Sequence, residues 1–219
     1  VDLSEMYNVR MLYLVKLANY IGRQRDAQLD EGGLSHDVLI SFKKFGAVPE
    51  AVYSGLVGGE KSYNHTELIK AITTLGKNAV ADSSVRLHWK EKADSILNLF
   101  MGKPPANFTW EGKNYTPLTF AASLPIKPND YVEFTSFGFQ PVYSSFILSI
   151  PDNYNNGSYW NLPLDSLTAV IDESLRNGYS VALDCDVSEK TFIRKPEQMT
   201  IYQANKDADF INHIVARSD

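Results

Sequence analysis

The residues able to do chemistry in this chain are few and widely spaced. They are one cysteine, Cys185, four histidines at 36, 65, 88 and 213, and a glycine pair, Gly32–Gly33, set just before a helix-forming stretch. A cysteine becomes a nucleophile where a helix N-terminus or a neighbouring cation favours its thiolate. Cys185 lies instead in the alternating run YSVALDCDV, between Asp184 and Asp186, whose charges oppose a thiolate. Core packing is therefore its expected role. His36, His65 and His88 fall on or beside helical stretches, and no two share the spacing of metal ligands. The glycine pair is the remaining candidate. In DEGGLSHDVLISFKKFGAVPEAVY, residues 30 to 53, the helix has no need of it. Two adjacent residues without Cβ atoms signal either a tight turn or a place where another backbone comes close.

The elements around these residues follow from spacing. Ser4 is positioned to cap a first helix with Met6, Val9, Tyr13, Leu17 and Tyr20 on one face. Ser35 is expected to cap the next, whose apolar face is Val38, Leu39, Phe42 and Phe45. Lys43 and Lys44 suit its C-terminal dipole, and Gly46 followed by Pro49 ends it. Two more helices are expected, near 65 to 80 and from about Ser84 to Met101, the latter stopped by Gly102 and Pro104–Pro105. The composition then shifts to Thr, Tyr, Phe and Val, with strand-like runs at DYVEFTSF and YSSFILSI. PDNYNNGSYWNLP reads as a loop, Asp165 as the cap of a helix through Leu175 closed by Gly178, and residues 179 to 187 as a strand. Helices precede strands, so the expected class is α+β with the two kinds segregated.

Composition narrows the function. A chain of 219 residues is long enough for a sizeable core, and its net charge of −5 argues against a broad nucleic-acid-binding surface. No apolar run approaches bilayer length. The opening VDLSEMYNVR reads as a helix start and not as a signal peptide, although it carries no initiator Met. A single cysteine excludes an internal disulfide and a thiolate zinc cluster. Two apparent motifs fail on chemistry. GLVGGEKS places Glu60 where a phosphate loop needs glycine, and a carboxylate there repels phosphate. DNYNNG places Tyr154 where a calcium loop needs an oxygen ligand, leaving a turn.

Four segments, in order, resemble the bleomycin hydrolase and aminopeptidase C family, a self-compartmentalising branch of the papain-like cysteine peptidases. DLSEMYNVRMLY is similar to the helix after the family's L-S-E, and DEGGLSHDVLISFKKFGAVPEAVY to its Gly-Gly strand and following helix. LFMGKPPANFTWEGKNYTPLTFAASLPIKPNDYVEF and NLPLDSLTAVIDESLRNGYSVALDCDV resemble two later segments, so the likeness covers residues 1 to about 192. The resemblance implies a papain-like fold, incomplete over these residues. It divides the chain into a helical half at 1–56 bearing the Gly-Gly edge, a family-specific helical insertion at 57–110 and a strand-rich half at 111–219. It implies that Gly32 and Gly33 pair with the backbone of an extended peptide substrate, that no metal or organic cofactor is used, and that the intact relative forms hexamers. The family's nucleophilic cysteine falls upstream of Val1 and its asparagine beyond Asp219. His213 is the candidate general base on one alignment; on another, Phe210 takes the histidine's place and the protein is catalytically inert. The expected function is thus a cysteine-type aminopeptidase whose thiol lies outside these residues, with an inactive peptide-binding relative and a non-functional fragment as alternatives.

Overall fold

The computed structural model describes residues 1–184 in full and the backbone of 193–195 and 198–200. Cys185, Phe210 and His213 lie outside the described residues. The α+β expectation holds: helices dominate the first part, and short strands follow. The described chain forms two compact units, 1–131 with 149–157, and 132–148 with the residues from 158 onward.

In the first unit, α1 (Glu5–Gly22) starts where Ser4 Oγ accepts the Tyr7 N–H at 3.0 Å. It packs against α3 (Thr66–Ala81) and α5 (Trp89–Met101). Leu17, Leu68, Ile72 and Leu97 are fully buried between them. The helix expected over 84 to 101 is two: α4 (Ser83–Leu87), capped by Asp82, and α5, separated at His88, whose backbone leaves the helical region. The Asp82 carboxylate accepts the Ser84 N–H and so starts a helix at residue 83, while Val85 packs on the same core as Trp89, Ala93 and Leu97.

The second helix, α2 (Ser35–Phe45), differs from expectation at its start and on its face. Leu34, not Ser35, is the N-cap residue, and Asp37 on the first turn reaches back to the Leu34 N–H at 3.0 Å. Its buried positions are His36, Asp37, Ser41 and Phe42, while Val38 is half exposed. At its other end Gly46 has φ +84°, and a Cβ there would lie 2.2 Å from the Pro117 carbonyl. Glycine is required twice, for the backbone angle and for the close approach. The neighbour is α6 (Pro117–Ser123), within a region expected to be strand-rich. Thr116 caps α6 and Pro117 occupies its first turn, a start signal that outweighs local β-propensity. Before it, β1 (Phe108–Trp110) and β2 (Lys113–Tyr115) form an antiparallel hairpin.

In the second unit, β3 (Phe134–Thr135), β5 (Ser158–Asn161) and β4 (Ser144–Ile147) form a three-stranded sheet in that order, parallel then antiparallel. β5 lies in the stretch expected to be a loop. The fully buried Asn161 accounts for its position: Nδ2 donates to the carbonyls of Phe137 and Gln140, and Oδ1 accepts the Phe137 N–H at 2.7 Å. Helix α7 (Leu164–Arg176) follows with Pro163 at the N-cap position and Asp165 in its first turn, so Asp165 is not the cap. The strand expected from residue 179 is not formed over 179–184, where Tyr179 and Leu183 are exposed. Alternation specifies a face, but a strand also needs a hydrogen-bonding neighbour, and none pairs with 179–184 among the described residues. β6 (Ile193–Lys195) and β7 (Gln198–Thr200) pair antiparallel.

Candidate functional site

The glycine pair occupies an exposed loop that runs into α2, along a groove of about 440 Å³ in the first unit. α1 supplies one wall through Met6, Val9 and Leu12, and Val38 of α2 faces the same space. Tyr13 and His65 add a polar patch, joined by a 3.0 Å hydrogen bond between the Tyr13 hydroxyl and His65 Nδ1. Burial holds the His65 pKa below its ordinary value, against the opposing pull of Glu31. Burial also pushes the Tyr13 phenol up, with Glu31 and Asp30 adding to the effect. Burial thus favours the neutral form of both rings, with the Glu31 side chain lining the same groove.

Two buried ions of opposite sign hold the loop from inside. Lys16, only 4% exposed, donates to the carbonyl of Asp30 at 2.9 Å and to the carbonyl of Gly32. Its ammonium also stands 5.2 Å from the centre of the Tyr154 ring. Burial lowers its pKa, although Asp30, Asp37 and Asp152 all favour its charge. On the other side Asp37, 1% exposed, accepts the Leu34 N–H and, at 2.7 Å, Nδ2 of Asn155. His36 Nε2 is 3.6 Å from the same carboxylate. Asn155 is placed by the turn at 152–157. There Asn153 closes a ring with Gly157 through bonds of 2.7 and 2.8 Å, which is the turn expected from DNYNNG.

Between these anchors Gly32 adopts φ +93°, and a Cβ on Gly33 would lie 2.7 Å from Asp37 Oδ2. Asp37 cannot move aside without breaking both of its hydrogen bonds, so Gly33 has a steric reason to be glycine. The Gly32 carbonyl is taken by Lys16, whereas no hydrogen bond engages the Gly33 N–H or carbonyl among the described residues. An unpaired, exposed backbone pair beside a groove is the chemistry of a one-residue strand edge, able to take an extended chain by its main chain.

Sequence reasoning pointed to Gly32 and Gly33 and missed the two ions that hold them. Lys16 was detectable: it lies three residues after Tyr13 and four before Tyr20, inside the apolar stripe of α1. Asp37 was not, because its partner Asn155 is 118 residues away. No cluster of side chains suited to a metal ion occurs among the described residues, and none of their helices is long and apolar enough to cross a membrane.

No family model matches the chain, and no curated protein matches it in sequence. Among solved structures it is similar to PepW of Lactobacillus rhamnosis HN001, with 17% identity and a TM-score of 0.58. That match covers 81% of this chain and 49% of PepW, so the chain spans about half the length of that protein. The likeness establishes an α+β fold shared with about half of that protein.

Proposed function

We propose that these residues are the peptide-binding portion of a cysteine-type aminopeptidase resembling bleomycin hydrolase, with the nucleophilic thiol contributed from outside residues 1–219. The observation that carries this reading is the unpaired Gly33 backbone, held outward by Lys16 and Asp37 beside the groove. The fold shared with PepW, a bleomycin hydrolase-family aminopeptidase, supports it. In the proposed reaction the general base takes the thiol proton and the thiolate attacks the peptide carbonyl. The amine leaves with that proton, and water hydrolyses the thioester to the free acid and the thiol. The Gly33 N–H and carbonyl hold the peptide main chain near that centre whatever its side chains. His213 as general base, hexameric assembly and the division at residues 56 and 110 belong to the same proposal.

The test uses the protein isolated from its natural source, assayed on aminoacyl and peptidyl fluorogenic substrates before and after thiol alkylation. Turnover abolished by alkylation, together with peptide binding weakened by Gly33→Val, is the expected result. Peptide binding without turnover would assign a binding role instead. Failure to bind any extended peptide would sink the reading.

A further inference from the structure

The groove beside Gly33 combines an aliphatic wall with the Glu31 side chain in its lining. Met6, Val9 and Leu12 of α1 and Val38 of α2 provide enough apolar surface for a four-carbon stem. Glu31 lines the same groove, and its charge reaches both Tyr13 and His65. No hydrogen bond or ion pair engages Glu31 among the described residues. The nearby lysine does not neutralise it, because Lys16 is buried and spent on two carbonyls and feels Asp30, Asp37 and Asp152. The charged groups lining the groove are then Asp30, Glu31 and Asp37 against Lys16, with Asp152 close to Gly32.

From this arrangement we infer that the groove selects peptides carrying a lysine or arginine side chain at the residue next to the one paired with Gly33. The stem lies on the aliphatic wall and the cation meets Glu31. Long basic side chains suit such a site because they bury their methylenes while keeping the charged head in water. A purely apolar side chain gains the wall but leaves Glu31 without a counter-ion, and an acidic one is repelled. The inference rests on Gly33 acting as a peptide edge, and it adds the chemical class of the ligand.

The test compares N-acetylated tetrapeptides that differ only in lysine or norleucine at one position, titrated by fluorescence polarisation at low and high salt. The lysine peptide should bind about fivefold more tightly at low salt, the upper range for a partly exposed ion pair. Added salt should erase that difference. Glu31→Gln should remove the lysine peptide's advantage. Equal binding by the unsubstituted protein, or a preference that survives Glu31→Gln, would overturn the inference while leaving the edge reading intact. A norleucine peptide with a free amino terminus that matches the lysine peptide would also overturn it, since the cation recognised would then be the terminus. No binding by any of the peptides would remove the edge reading and this inference together.

Discussion

Replacing Lys16 by methionine probes how the glycine edge is held. Methionine keeps the length and apolar character of the stem but removes the ammonium that grips the carbonyls of Asp30 and Gly32. Hydrogen bonds to a charged group contribute about 1.5 to 3 kcal/mol each, so the two together supply about 3 to 6 kcal/mol. Against this stands the cost of keeping a cation at 4% exposure, several kcal/mol in an interior; the lowered pKa of Lys16 shows that the neighbouring carboxylates do not fully offset it. The two effects oppose each other and nearly cancel, so folding stability should change by no more than about 2 kcal/mol. The loss to peptide binding is separate. Without the clamp the Gly32–Gly33 backbone must be ordered by the ligand, at about 1 to 2 kcal/mol per residue, which weakens affinity by about tenfold or more. Urea unfolding measures the first effect and titration with an extended peptide the second. A Lys16→Met protein that stays folded and keeps its peptide affinity within about twofold would refute the clamp.

Two further outcomes follow from the packing. Gly46→Ala forces a Cβ into the Pro117 carbonyl at a backbone angle alanine resists, and should cost about 2 to 4 kcal/mol by denaturant unfolding, with the α2–α6 contact the part disturbed. Burial raises the phenols of Tyr7 and Tyr53 to about 12, from 10 in the unfolded chain. Their contribution is complete below pH 10 and is lost as pH rises toward 12, so stability should fall across that window, by about 2 kcal/mol for each tyrosine. Lys16 does not reverse the trend, because its lowered pKa raises stability with pH only up to its unfolded value near 10.5. Urea unfolding followed alongside phenolate absorbance from pH 9 to 12 should show stability dropping before the folded-state phenols ionise.

What could be read from the sequence was what local rules determine. The Ser4 cap, the stripe on α1 and the Gly46–Pro49 stop each depend on residues within a turn or two of one another. The buried face of α2 depends on distance. His36, Asp37 and Ser41 look like a solvated face until the turn at 152–157 brings Asn155 onto Asp37 and Gly157 against the His36 ring. The same limit explains β5, whose place is set by Asn161 bonding to carbonyls more than twenty residues earlier. It also explains 179–184, where alternation marks a face without supplying a partner. For the candidate site, the glycine pair carried its own signal, since two residues without side chains beside a helix that does not need them ask for a reason. That reason lies with Lys16 and Asp37, and only the folded chain brings them to the loop.

The central claim is that Gly33 pairs with the main chain of an extended peptide. The most direct test is a series of otherwise identical peptides, each N-methylated at one successive backbone amide, titrated against the unsubstituted protein. Pairing with the Gly33 carbonyl predicts a loss of about tenfold at one position and little change at the others, because methylation removes a single donor and blocks close approach there. Equal tolerance along the whole peptide would mean that side chains alone hold it, and would contradict the account.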